Sequence, residues 1–110
     1  MFRGKIVIVG SGDVGSTTAY TIMLGGLFSE IVIIDQNHAK AEGDALDISH
    51  GVAHTKPVSV YAGDYKDCKD CDIVVITAGA NQNPGENRID LLKRNAVIVK
   101  SITESIMKYA

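Results

Sequence analysis

The chain lacks several features that would have settled its class at once. No apolar run approaches the ~20 residues needed to cross a bilayer, so no membrane role is expected. Neither charge dominates: 11 Lys and Arg face 13 Asp and Glu, a formal net charge of −2 with the signs interspersed. A nucleic-acid surface would need a basic face, so no nucleic-acid partner is expected. The N-terminus lacks the basic-then-apolar layout of a signal peptide, which makes cytoplasmic residence the expectation. Internal repeats, low-complexity tracts and linkers are missing too. The 110 residues allow one domain that buries very roughly two-thirds of its unfolded surface, and not two domains.

Cysteine is scarce. Its two copies form "CKDC", Cys68 to Cys71. Zinc needs four ligands, and no second pair exists to complete a site. A redox pair is expected at a helix N-terminus that lowers the thiol pKa, whereas this one lies in a charged run before a strand. His50 and His54 are four residues apart, as metal-binding pairs on a helix can be, but no third ligand is apparent. With His38 they read as surface or packing residues, and no metal is expected.

What is present is an alternation of short apolar runs and helical patterns. "KIVIVG" (Lys5–Gly10), "EIVIID" (Glu30–Asp35) and "DIVVITAG" (Asp72–Gly79) are β-branched runs of the kind buried on both faces of a parallel sheet. "VSVYAG" (Val58–Gly63) is a fourth run, expected near an edge because Pro57 precedes it. Helical patterns span about Asp13 to Gly26, ended by Gly25-Gly26, and about His38 to Val52. The second carries Ala41, Ala45, Ile48 and Val52 on one stripe. A last helix, from near Glu86 to about Tyr109, is expected to bury Leu92, Ala96, Val99, Ile102 and Ile106, with Leu91, Ile98 and Met107 widening that face. The order β-α-β-α-β-β-α predicts a Rossmann-type doubly wound parallel α/β sheet with right-handed crossovers, reaching its fourth strand and following helix.

"VGSGDVG" contains Gly10-x-Gly12-x-x-Gly15. Glycines punctuate many loops, so this spacing alone says little. Here it follows a strand, opens a helix, and an acid, Asp35, closes the next strand twenty positions after Gly15. Each part has a task in binding a dinucleotide. Gly10 permits the turn, Gly12 lets the backbone approach the pyrophosphate, and Gly15 allows close helix–strand packing. The helix N-terminus offers free N–H groups to the phosphates. Asp35 would accept from the ribose hydroxyls and repel a 2′-phosphate, and Gln36 and Asn37 bring no arginine. NAD is therefore expected rather than NADP. A purely structural strand–turn–helix, or the acidic residue of a methyltransferase, are the other readings of the same residues.

"VGSGDVGS", "IDQNHAKAEGDALDISHG" and above all "TAGANQNPGENRIDLLKRN" carry a resemblance that spans essentially the whole chain. They resemble the N-terminal part of the lactate/malate dehydrogenase family, on its L-lactate side. The resemblance implies an NAD-dependent oxidoreductase that interconverts pyruvate and L-lactate by hydride transfer, usually as a homotetramer. It also implies that Val14, Asp35, Lys40, Tyr65, Gly79, Ala80 and Ser101 contact the cofactor. On residue type alone, Tyr65 reads as an exposed loop aromatic and Lys40 as a solvated helix charge.

The same resemblance makes "ANQNPGENR", Ala80 to Arg88, a lid over the substrate rather than a plain turn. Arg88 matches the arginine that polarises the substrate carbonyl, a fixed cation aimed at developing charge. Gln82 matches the position that selects among 2-oxo acids. An arginine there would pair with a second carboxylate; a charge-assisted hydrogen bond is worth roughly 1.5–3 kcal/mol. Its loss disfavours a dicarboxylate by about ten- to a hundredfold, so pyruvate over oxaloacetate is expected. The family's proton-donating histidine and carboxylate-gripping arginine belong to a region that residues 1–110 do not match. By itself this N-terminal part of the NAD-binding domain, without the substrate domain, is expected to be inactive and to expose an apolar strand edge.

Overall fold

A computed structural model of the chain describes residues 4–51 and 57–110. Four strands, β1 (Gly4–Val9), β2 (Phe28–Ile34), β3 (Ser59–Ala62) and β4 (Ile73–Ile76), form one sheet in the order β3-β2-β1-β4. Every pairing is parallel, with Val7 between Val32 and Val74 and Ile8 between Ile33 and Val75. Three helices follow β1, β2 and β4: α1 (Asp13–Gly25), α2 (His38–Ser49) and α3 (Arg88–Met107). This is the doubly wound α/β arrangement that the alternation predicts.

The continuous apolar runs of β1 and β2 make sense because the sheet is covered on both sides. Successive side chains of a strand point to opposite faces. Ile6, Ile8, Ile31 and Ile33 therefore meet Ala19 and Met23 of α1 and Ala41, Ala45 and Ile48 of α2 on one face. Val7, Val9, Val32 and Ile34 meet Cys68 and Ile102 and Ile106 of α3 on the other. The α2 stripe is buried as its spacing predicts, apart from Val52, which lies outside the described residues, as does His54. The Gly25-Gly26 stop is also observed: Gly26 turns left-handed at φ 65°, and its N–H donates to the carbonyls of Ile22 and Met23.

The structure departs from expectation in three places. A 3-10 helix, Tyr65–Cys68, precedes β4, closed by a reciprocal pairing of Asp64 and Asp67 that the charged run concealed. Cys68 ends this helix fully buried, and burial and the neighbouring Cys71 push its thiol up. Strand β4 is shorter than "DIVVITAG"; its position at the sheet edge, with Ile73 and Ile76 exposed, is the expected apolar edge. Lastly, only part of the face predicted for α3 is sheltered. Leu91, Ile98, Ile102 and Ile106 are, as expected, but Leu92, Ala96, Val99 and Met107 are exposed, and Arg94 and Asn95 complete the sheltered stripe. Hydropathy missed these two polar residues because specific partners hold them on the inner side.

Candidate functional site

The carboxyl ends of β1, β2 and β4 open into a cleft of about 980 Å³, at the upper end of the ~300–1,000 Å³ usual for small-molecule and cofactor sites. Gly10, Gly12, Asp35, Lys40, Tyr65, Gly79, Ala80 and Ser101 all line it. The structure thus gathers eight residues of the expected cofactor site from six separate stretches of chain. Gly15 lies beneath the cleft as packing: a Cβ there would run into the carbonyl oxygen of Gly10. Val14 projects from α1, largely exposed, and does not line the cleft.

The glycine turn is built by close approach. Gly10 has φ 111°, and a Cβ on it would lie 2.7 Å from the Ala78 nitrogen. Its N–H donates to the Ile34 carbonyl at 2.7 Å. Thr77 closes the turn from β4, its hydroxyl donating to the Gly10 carbonyl at 3.0 Å. Gly12 is different: a Cβ there would meet nothing within 4 Å. Its absent side chain leaves open space in front of α1.

Helix capping marks the same spot. Asn37 caps α2 by accepting from the Lys40 N–H, and Asn87 caps α3 by accepting from the Asp90 N–H. Helix α1 starts at Gly12 with no side-chain cap, and its first internal bond is from Ser16 N–H to the Gly12 carbonyl. The N–H groups of the first turn of α1 therefore lack an intrahelical acceptor, next to the cleft at Gly12 and at the positive end of the helix dipole. An anionic group in the open space beside Gly12 would satisfy them.

Asp35 is fixed opposite. One carboxylate oxygen accepts from the Ser11 N–H at 2.6 Å and the other from the Asn37 N–H at 2.8 Å. An ionised carboxylate has about four acceptor positions, so two remain for ribose hydroxyls. Tyr65, from the 3-10 helix, supplies a half-buried wall whose phenol is pushed up, chiefly by burial.

Two supports went unseen in the sequence. Asp44 of α2 accepts from the Ser11 hydroxyl and from the Lys40 ammonium, which also donates to the Ser11 carbonyl. These bonds hold the Asp44 carboxyl below its ordinary range, Lys40 contributing most, and keep Lys40 protonated to higher pH. Ser11, fully buried, is thereby tied to α2. Asn95 of α3 accepts from the Ala80 N–H at 2.7 Å and holds the end of "TAGA" against the helix. The i,i+4 spacing of Lys40 and Asp44 was legible, but the role of Ser11 in joining them was not.

The loop after Ala80 lies outside the cleft lining, and so do Gln82 and Arg88. Gln82 is exposed and donates to the Glu86 carbonyl at 2.5 Å. Arg94 fastens the loop to α3, donating to the Asn81 carbonyl at 2.8 Å and to the Glu86 carboxylate at 2.7 Å. Glu86 also accepts from the Asn83 N–H, and that bond and Arg94 hold its carboxyl below the usual range. Arg88 starts α3 exposed, with no hydrogen-bond or ion-pair partner among the described residues.

A parallel sheet with a glycine turn feeding an uncapped helix, and an acid fixed at the end of the neighbouring strand, defines a dinucleotide-binding domain. The comparisons narrow that class. Residues 4–110 match the family model described as the lactate/malate dehydrogenase NAD binding domain, and the chain belongs to the lactate/malate dehydrogenase family. Over 105 residues it is 59% identical to the L-lactate dehydrogenase of Acetivibrio thermocellus, covering 96% of this chain and 33% of that enzyme. A lactate dehydrogenase from a Medee basin deep-sea metagenome library superposes with a TM-score of 0.94 at 50% identity, over 99% of this chain and 35% of that one. The malate dehydrogenase of Archaeoglobus fulgidus, solved in complex with NADH, superposes with a TM-score of 0.87 at 39% identity, over 96% of this chain and 37% of that one. The chain spans about one third of the length of these relatives.

Proposed function

We propose that this chain forms the cofactor-binding portion of an NAD-dependent L-lactate dehydrogenase, acting on pyruvate and L-lactate in the cytoplasm as a homo-oligomer. The observation that carries the cofactor assignment is the open space at Gly12 before an uncapped α1, with Asp35 fixed across the cleft. Bound there, NAD supplies the hydride acceptor for L-lactate, and its reduced form the hydride donor for pyruvate. The N–H groups of α1 hold the pyrophosphate, Asp35 takes the ribose hydroxyls, and Tyr65, Gly79, Ala80 and Ser101 wall the remainder. Val14, exposed at the start of α1, joins the contact at the mouth of the cleft.

The loop from Ala80 to Arg88 is the lid in this reading. Closing it requires Gln82 to leave the Glu86 carbonyl and turn towards the substrate. Arg88, unengaged in this conformation, then polarises the substrate carbonyl and stabilises negative charge on its oxygen. Closure also excludes water, which strengthens that interaction. Pyruvate's methyl group requires no cation from Gln82, whereas the second carboxylate of oxaloacetate would be left unpaired.

Solved malate dehydrogenases also match this fold, with TM-scores of 0.92 and 0.87, so the substrate assignment depends on Gln82 and not on the backbone. In the complete enzyme, Gln82→Arg should shift kcat/KM from pyruvate towards oxaloacetate by about ten- to a hundredfold. Unchanged selectivity would remove Gln82 from its role and leave the malate reading standing.

A further inference from the structure

Besides Asp35, two side chains that carry or can carry positive charge line the ribose end of the cleft, His38 and Lys40, both on the first turn of α2. A phosphate on the ribose 2′-oxygen would be a natural partner for either. Each is already engaged by a carboxylate one turn further along the helix: Lys40 by Asp44 at 2.8 Å and His38 by Glu42 at 2.9 Å. The Lys40 pair is also knotted into the glycine loop, because Lys40 donates to the Ser11 carbonyl and the Ser11 hydroxyl donates to Asp44.

We propose that Asp44, with a smaller contribution from Glu42, is a specificity-determining residue that directs this cleft to a dinucleotide lacking the 2′-phosphate. It does so by occupying the Lys40 ammonium. Of the three N–H donors of the Lys40 ammonium, two are taken by Asp44 and the Ser11 carbonyl. A 2′-phosphate would have only the third and would share the charge with the Asp44 carboxylate, so the arrangement disfavours the phosphorylated cofactor independently of Asp35. Exposure decides which acid matters more. The Lys40–Asp44 pair, 47% and 26% exposed, is more sheltered than the His38–Glu42 pair at 54% and 64%, and well-exposed ion pairs contribute little.

This inference rests on the NAD reading of the cleft and is tested by calorimetric titration of the protein with NADH and NADPH. Asp44→Asn should raise the NADPH-to-NADH affinity ratio about two- to fivefold, and Glu42→Gln should raise it by less. Lys40→Met added to Asp44→Asn should cancel the rise. Equal weakening of both cofactors by Asp44→Asn would make Asp44 a simple brace for the glycine loop and overturn the proposal. A rise that persists in the double variant would overturn it as well, because it would not come through Lys40; if Asp44→Asn proves unfolded by circular dichroism, Asp44→Ser takes its place in both comparisons. Failure of the unmodified protein to bind either cofactor would instead refute the NAD reading, before any variant is compared.

Discussion

Strands β1 and β2 with α1 and α2, and β4 with its loop and α3, are built from similarly apolar sequence yet differ in how it is used. In the first region, Ile6 to Val9 and Ile31 to Ile34 are buried on both faces. Helix α1 ends in a left-handed glycine, and α2 begins with an asparagine cap. In the second region, Ile73, Ile76, Ile89, Leu92 and Val97 are exposed, and the loop is fastened by polar bonds to Glu86 and Arg94. Apolar packing fixes a cradle that must hold one shape. The loop is held instead by hydrogen bonds at or near the surface, which add little net stability.

Truncation of side chains should separate the two regions most widely. Ile8→Ala, at a fully buried site between β2 and β4, should cost about 2–5 kcal/mol. Leu92→Ala, at a side chain 69% exposed, should change stability by less than about 0.5 kcal/mol. Urea denaturation of both variants checks this, and equal losses would erase the contrast. The caps come next. Asn37→Ala and Asn87→Ala should each cost about 1 kcal/mol, measured the same way. Losses of that size at both would show that α3 depends on its cap as much as α2 does, despite its open face.

The smallest effect should come from pH acting on the loop. Glu86 has a depressed carboxyl in the folded protein, so its ties are fully present above the unfolded carboxylate value, ~4.3. They are lost as pH falls through the lower folded value. The Asn83 amide should therefore lose protection, relative to an unstructured amide at the same pH, as pH falls through the depressed Glu86 value, and it should be less protected in Glu86→Gln at neutral pH. Exchange independent of both would mean that Glu86 does not hold the loop.

The legible parts of the sequence were those in which one residue's chemistry determines its surroundings. β-branched runs specified the sheet, Gly10 and Gly15 the tight turn, Gly26 the end of α1, and Asp35 the polar end of β2. Features that depend on a partner far along the chain could not be read. Arg94 and Asn95 lie on the sheltered side of α3 through bonds to Asn81, Glu86 and Ala80, so the apolar stripe found Ile98, Ile102 and Ile106 but wrongly added Leu92, Ala96 and Val99. Ser11 can be buried because Asp44, 33 residues on, accepts a hydrogen bond from its hydroxyl. The 3-10 helix that carries Tyr65 into the cleft is different: it rests on a local pairing of Asp64 with Asp67, three residues on, which the surrounding charged run concealed.

The central claim is that the uncapped start of α1 at Gly12 seats the cofactor's phosphates. Titrating NADH into the protein and into Gly12→Asn tests it most directly. Asparagine caps helices better than glycine by a few tenths of a kcal/mol, and its Cβ meets nothing within 4 Å, so the variant should be folded and slightly more stable. The account predicts that the unmodified protein binds NADH and that the better-capped variant binds at least about tenfold more weakly, a loss of ~1.4 kcal/mol. Equal binding by the two, or no binding by the folded unmodified protein at millimolar NADH, about −4 kcal/mol of binding free energy, would contradict it.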